Sequence, residues 1–262
     1  MSQWRVVELE TRDAFENMAI DEAVSELVAT KDSPPTIRFY RWKPSAISIG
    51  YFQSLHDEVD VDACEKAGVD FVRRRTGGGA VYHDYEGELT YSVIAPESIF
   101  PKGIIDSYHC ICGWIMDSLK HVGVETEFKP INDIVMAEGA VGPDGEVVGG
   151  KKISGNAQTR RQGVLLQHGT ILYKVDVRKM FSLLKVGQDK ISDKMIATVE
   201  DRVTSVNKLM PDLSFDSLYQ AVLEGFTQGK KWDRGEWTLA EMMRAQELAD
   251  RRYSTKEWKE MR

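Results

Sequence analysis

The chain has 262 residues, enough for one large domain or one and a half, and long enough to bury a core without disulfides or a structural metal. Hydrophobic residues make up 42% and charged residues 29%, which excludes a disordered chain, and the formal net charge of −7 argues against a broad nucleic-acid-binding surface. Three cysteines, Cys64, Cys110 and Cys112, are too few and of the wrong parity for a disulfide framework. No stretch approaches the about 18 apolar residues of a membrane span, and the first dozen residues are too charged for a signal peptide, so a cytoplasmic chain with no membrane partner is expected.

In chain order, residues 4–9 suit a short strand, and residues 11–30 space Phe15, Met18, Ala19, Ala23, Leu27 and Val28 as an amphipathic helix. The cluster Ser33, Pro34, Pro35 ends that helix and releases a strand over 36–42. A second strand is expected over 44–50, a short helix over 60–67 and a further strand over 69–75. Three glycines, Gly77, Gly78 and Gly79, interrupt it before 80–83 resumes extended character. With 89–95, these segments read as neighbouring antiparallel strands. Residues 104–122 space apolar side chains as a helix that Gly123 stops.

Extended pieces at 134–136 and 146–148 flank a turn at Gly142, Pro143, Asp144 and Gly145, and residues 164–173 form another extended run. Helices follow over 177–184, 215–227 and 239–252, the last opened by Thr238 with Glu241 at capping-box spacing. Strands and helices mix without strict βαβ alternation, which predicts an α+β fold: antiparallel or mixed sheet with packed helices. No linker marks a boundary, so one domain over 1–262 is expected, with a mainly helical part from about 212 to 262.

Chemistry concentrates in three segments. Arg73, Arg74 and Arg75 precede Thr76 and the three glycines, and bare backbone N–H groups beside guanidinium forks suit an anion cradle. The plain alternative is a glycine-bent hairpin with solvated arginines. The second segment runs from Gly149 to Gln158, where Lys151, Lys152, Gly155 and Ala157 can lie along a ligand with an ammonium between anionic groups. In the third, His168 interrupts an apolar strand, a placement more common for a hydrogen-bonded core histidine than for a catalytic one.

The texts RRRTGGGAVYHD, NDIV, KKISGNAQ and LLQHGTIL, in this order, resemble the catalytic-domain pattern of the biotin- and lipoate-protein ligase superfamily, nearest to the lipoate-protein ligase A branch, over roughly residues 1–227. The resemblance implies an ATP-dependent ligase that activates lipoate as its adenylate and then acylates a lysine of lipoyl-domain acceptor proteins, with Mg²⁺ carried by the nucleotide. Under it, Lys152 is the catalytic cation, contacting acyl carbonyl and phosphate. Nucleotide contacts fall to Arg74, Gly77, Gly78, Gly79, Ala80, Val81 and Tyr82, with Asn132 and Asp133 beside the nucleotide or its metal. Asp133 equally suits charge pairing with Lys152. Lipoate contacts fall to Lys152, Gly78, Val81, His83, Gly155, Ala157 and His168. No all-protein metal site is implied.

Two features depart from that pattern. Octanoyltransferases of this fold are expected to carry a cysteine just before the Asn-Asp pair, where this chain reads Phe128, Lys129, Pro130, Ile131, so transfer through a thioester is disfavoured. Two-domain lipoate ligases continue into an accessory domain past a Tyr-x-x-x-x-Trp segment like that from Tyr253 to Trp258, near which this chain ends. A separate accessory subunit is therefore expected, docking near Met242, Met243, Leu248, Tyr253 and Trp258. Rival readings are octanoyl or lipoyl transfer from an acyl-carrier protein, non-catalytic capture of lipoate or its adenylate, and biotin ligation.

Overall fold

The computed structural model describes residues 3–185 and 193–262. Eight strands form a mixed sheet: β1 (Gln3–Arg12), β2 (Thr36–Trp42), β6 (Glu88–Pro96), β7 (Thr126–Lys129), β8 (Asp133–Met136), β9 (Lys152–Arg161), β10 (Val164–Leu172) and β11 (Lys231–Arg234). Their order is β11-β1-β2-β6-β10-β9-β8-β7, with the β1 pairings parallel and the rest antiparallel. A three-stranded sheet, β4-β3-β5, comprises β3 (Ala46–Ile49), β4 (Asp70–Arg73) and β5 (Val81–His83). The helices in chain order are α1 (Ala14–Thr30), α2 (Leu55–Glu58), α3 (Val61–Ala67), α4 (Ile104–His121), α5 (Val177–Leu183), α6 (Asp193–Glu200), α7 (Val206–Leu209), α8 (Phe215–Thr227), α9 (Leu239–Leu248) and α10 (Lys256–Lys259).

The period of two in the central strands sorts their side chains between two cores. On one face, Ile37 and Phe39 of β2 and Leu89, Tyr91 and Val93 of β6 pack under α4 and α8, through Ile115, Leu119, Val222 and Phe226. On the other face, Tyr40, Trp42, Ile94 and Leu166 pack under α1 and α9, through Ala19, Ile20, Ala23 and Leu248. Helix α1 starts where the Asp13 carboxylate accepts from the Glu16 N–H, and it ends at Lys31 in the left-handed conformation. Thr238 and Glu241 form the expected capping box of α9.

The α+β class and mixed sheet are as expected, but several local expectations are corrected. Segments 69–75 and 80–83 do not pair with each other; each flanks β3, one parallel and one antiparallel, while 89–95 belongs to the large sheet. Residues 146–148 make only the single bridge from Val147 to Val141 and form no strand. The helix expected over 239–252 turns into a π-helical segment, Ala249–Tyr253. Strands β7 and β11 and helices α2, α6, α7 and α10 lack a periodic apolar pattern long enough to be predicted. Through β11 beside β1 and α9 against α1, the C-terminal part is stitched into the main sheet.

Candidate functional site

A cavity of about 320 Å³ lies between the α1 face of the large sheet and the small sheet with its glycine bend. Its walls come from β2 (Tyr40, Trp42), β6 (Glu88, Thr90), β10 (His168, Thr170) and β9 (Gly155, Ala157), and on the opposite side from Ser48, Arg74 and residues 78–83. The bend closes over the end of β3 because Gly50 has no side chain: a Cβ there would lie 2.0 Å from the Gly78 carbonyl oxygen. Gly78 itself has φ 94°, the left-handed region that favours glycine.

Lys152, at the start of β9, stands at the half-exposed side of the cavity and pairs with Asp133 on β8, Nζ to Oδ1 2.7 Å. The charge pairing with Lys152 open to Asp133 is thus formed. Asn132 lines the cavity, but its amide is engaged: Nδ2 donates to the Asn156 carbonyl at 2.6 Å, and Asn156 Nδ2 donates to the Asn132 carbonyl at 3.0 Å. The pair is a strap between β8 and β9. Buried Tyr91 O–H donates to Asn156 Oδ1, and Gln167 Nε2 donates to Tyr91, so the polar residues of KKISGNAQ and LLQHGTIL also knit the sheet.

The arginine run does not offer the free forks that the sequence suggests: all three guanidiniums are engaged by groups of the protein. Buried Arg74 donates from Nε to Thr76 Oγ1, from Nη1 to the carbonyl and hydroxyl of Ser48, and from Nη2 to the carbonyls of Gly77 and Gly79 at 2.8 and 2.7 Å. Burial pulls its pKa down to about 10, still a cation at neutral pH. Arg73 donates to the carbonyls of Gly50, Tyr51, Gln53, Trp258 and Lys259, and Arg75 pairs with Glu22 of α1. Gly77, whose carbonyl is thus taken, does not line the cavity.

Both histidines expected at the site reach it. His83 Nδ1 lies 2.5 Å from Glu88 Oε1 and its Nε2 2.8 Å from Ser48 Oγ, and its ring stacks on Trp42 with centroids 4.0 Å apart. His168 Nδ1 lies 3.0 Å from Asp21 Oδ2 and its Nε2 2.7 Å from Thr76 Oγ1. Burial lowers the His168 pKa, against the pull of Asp21. Asp21 in turn holds buried Arg38, 3.2 Å away.

Of the residues singled out in the sequence, Lys152, Arg74, Gly78, Gly79, Ala80, Val81, Tyr82, His83, Asn132, Gly155, Ala157 and His168 line this one cavity, and Asp133 touches it through Lys152. Not anticipated were the aromatic wall of Tyr40 and Trp42, the hydroxyls of Ser48 and Thr76, and the carboxylates of Asp21 and Glu88. One signal was present. In β6, Glu88, Thr90 and Ser92 alternate with Leu89, Tyr91 and Val93, and polar residues at period two in a strand buried on both faces mark an internal polar site.

No cysteine lines the cavity. Cys64 and Cys112 are buried, which pushes their thiols up to about 11 and about 12, and Cys110 is half-buried and also raised. Among the described residues no group of three or more His, Cys, Asp or Glu side chains could hold a metal ion, and no helix is long and apolar enough to cross a membrane. Of the side chains expected to dock an accessory subunit, Leu248 and Tyr253 are buried in the core, and Trp258 Nε1 donates to the Arg73 carbonyl.

The model of the lipoyl protein ligase A/B catalytic domain matches residues 13–227. An octanoyltransferase LipM from Brevibacillus brevis is 35% identical over 98% of this chain and 99% of its own length. In structure, a chain of an archaeal lipoylation system from Thermoplasma acidophilum, described as a bi-partite lipoate protein ligase and its E2 lipoyl domain, aligns with TM-score 0.83 and 31% identity over 99% of this chain and 96% of that one. A lipoate-protein ligase A bound with ATP aligns with TM-score 0.79 and 29% identity over 98% of each chain. The ATP-dependent ligase expected from the motifs is corrected by these relationships: the curated relatives at 33 to 35% identity over nearly the full chain are octanoyltransferases.

Proposed function

The chain belongs to the family of the lipoyl protein ligase A/B catalytic domain, and on that premise we propose that it transfers an octanoyl group from a carrier-protein thioester to the lysine amine of a lipoyl-domain acceptor protein. The observation that carries the reading is the cavity itself: an aromatic and aliphatic interior that ends, on its half-exposed side, at a cation fixed by a carboxylate.

The apolar tail runs inward along Trp42, Tyr40 and Met18, all buried, and is driven there by loss of water from its methylenes. Its carbonyl is left beside Lys152. As the acceptor amine attacks, negative charge builds on the carbonyl oxygen, and the Lys152 ammonium, already oriented by Asp133, stabilises it without reorganising. The C–N bond forms, the C–S bond breaks, and the proton lost by the amine leaves on the departing thiol. With no cysteine in the cavity the acyl group passes directly from donor to acceptor, and neither ATP with its Mg²⁺ nor an adenylating accessory subunit has a step in this reaction.

The test is to mix the chain with octanoyl-loaded acyl-carrier protein and an unmodified lipoyl domain, without nucleotide, and to read intact mass. Addition of one octanoyl group to the lipoyl domain is the expected result. Modification only from free octanoate or lipoate with ATP would overturn the reading.

A further inference from the structure

The carboxylate, histidine and hydroxyl groups around the cavity form one unbroken chain: Glu88, His83, Ser48, Arg74, Thr76, His168, Asp21. Arg74 is its centre, because it alone touches both hydroxyls. Each hydroxyl oxygen accepts a hydrogen bond from the arginine, which leaves the hydroxyl proton to be given elsewhere. Among the described residues the only acceptor in reach of Ser48 Oγ is His83 Nε2, and of Thr76 Oγ1, His168 Nε2. Each imidazole must then carry its proton on Nδ1, where a carboxylate oxygen waits at 2.5 Å from His83 and 3.0 Å from His168.

We infer that Arg74 is a positioning residue that sets both cavity histidines, through Ser48 and Thr76, in the neutral Nδ1–H tautomer. Its five donors are spent on Ser48, Thr76, Gly77 and Gly79, so it holds the glycine bend with the same guanidinium. Neither imidazole nitrogen is left free on either ring, and at His168 a second proton is opposed by burial and by the nearby Arg74 cation. Within this chain of groups every side-chain donor already has an acceptor, so none is left for a cargo. This reconciles a lining that includes His83, His168, Glu88 and Arg74 with an apolar cargo. The tautomer assignment stands apart from the acyl-transfer reading; only its use toward an acyl tail rests on that reading.

The test uses the full chain labelled with ¹⁵N at histidine, of which there are five, and long-range ¹H–¹⁵N spectra above neutral pH. Two rings should show the Nδ1–H pattern, one lost in His83→Gln and the other in His168→Gln. Ser48→Ala should release only His83, Thr76→Ala only His168, and Arg74→Met both, each variant checked for a native circular dichroism spectrum. If Arg74→Met does not fold, the two hydroxyl variants decide alone. An Nε2–H tautomer on either ring in the unaltered chain, or an unchanged tautomer in the matching hydroxyl variant, overturns the inference whatever the enzyme does. With the thioester donor, each hydroxyl variant should raise KM roughly tenfold, the scale of one lost buried hydrogen bond, with kcat changed less. A normal tautomer pattern with no transfer at all would instead condemn the acyl-transfer reading and leave the wiring intact.

Discussion

Gly155 lies directly beneath the end of the Lys152 side chain: a Cβ on Gly155 would stand 2.8 Å from both Cε and Nζ. The lysine folds back across a bare stretch of its own strand to reach Asp133, and that route exists only while the position has no side chain. Gly155→Ala is therefore expected to displace the ammonium and cut acyl transfer by roughly tenfold or more, as misplacement of a charge-stabilising group does. A strand accepts alanine at least as well as glycine, so the melting temperature should hold or rise. Rate and melting curve measured on the same preparation check the prediction, and an unchanged rate would refute it.

Lys152 and Asp133 form a pair in which the partners do different work. Under the proposed transfer, Lys152→Ala removes the charge placed beside the carbonyl oxygen and should lower kcat by roughly a hundredfold or more. Asp133→Asn keeps a hydrogen-bond acceptor but removes the negative charge, leaving the lysine in place and less firmly held, so a smaller loss is expected. At exposures of 38% and 32% the pair is screened by water, and neither change should shift stability by more than about 1 kcal/mol. Steady-state kinetics beside urea unfolding separates the two effects. Equal losses of kcat in both variants would mean that Asp133 acts on substrate directly.

Burial of His168 makes stability depend on pH in a calculable direction. Its pKa in the folded chain lies below the 6.5 of an exposed histidine, so on acidification the unfolded chain takes up the proton first. Proton uptake by the unfolded state favours unfolding; this part of the stability is complete above the unfolded value and is lost as pH falls from 6.5 toward the lower folded value. His168→Gln, though less stable overall, should show a flatter dependence through that window. Urea midpoints of both chains across it give the comparison, and parallel curves would show that His168 takes no part.

How far the sequence could be read differs between elements for physical reasons. Strand β2 and helix α8 match their expected limits, because each carries its own period over enough residues and meets a breaker at its start. Strands β7 and β11 have four residues each, and what makes them strands is the neighbour they pair with, β8 and β1. The site's residues were legible as a set, since glycines, a lysine pair and lone histidines in strands are conspicuous. Their roles were less so. Whether a guanidinium is free or spent is decided by carbonyls that folding brings to it, and for Arg73 those include Trp258 and Lys259 at the far end of the chain. The two carboxylates behind the histidines were hidden likewise, Asp21 on a helix whose apolar spacing drew the reading away from its polar residues.

Arg73 is a fully buried guanidinium held by backbone carbonyls of Gly50, Tyr51, Gln53, Trp258 and Lys259. It pins the C-terminal segment against β4 and the loop after β3. Arg73→Ala leaves several of these carbonyls without a donor and opens a cavity, which should cost about 3 kcal/mol. Arg73→Lys, with fewer donors and no fork, should recover only part of that. Because no contact of Arg73 enters the cavity, kcat of the protein that remains folded should change little. Chemical denaturation and kinetics on the same samples test both halves, and a stable but inactive Arg73→Lys chain would contradict the assignment.

The cysteines supply the sharpest test of direct transfer. A thiol that carried the acyl group would need to reach the carbonyl beside Lys152 and to ionise near neutral pH. Neither condition is met: Cys64 sits in the core of the small sheet, Cys110 and Cys112 lie on α4 on the opposite face of the large sheet, and burial raises all three thiols, Cys112 to about 12. A chain with Cys64→Ala, Cys110→Ala and Cys112→Ala should thus retain kcat within a few-fold, at a stability cost of about 1 kcal/mol for each small buried side chain removed. Alkylation of the unaltered chain under native conditions should leave activity intact for the same reason. If the cysteine-free chain folds yet transfers nothing, one of these thiols must move into the cavity, and the one-step transfer fails with it.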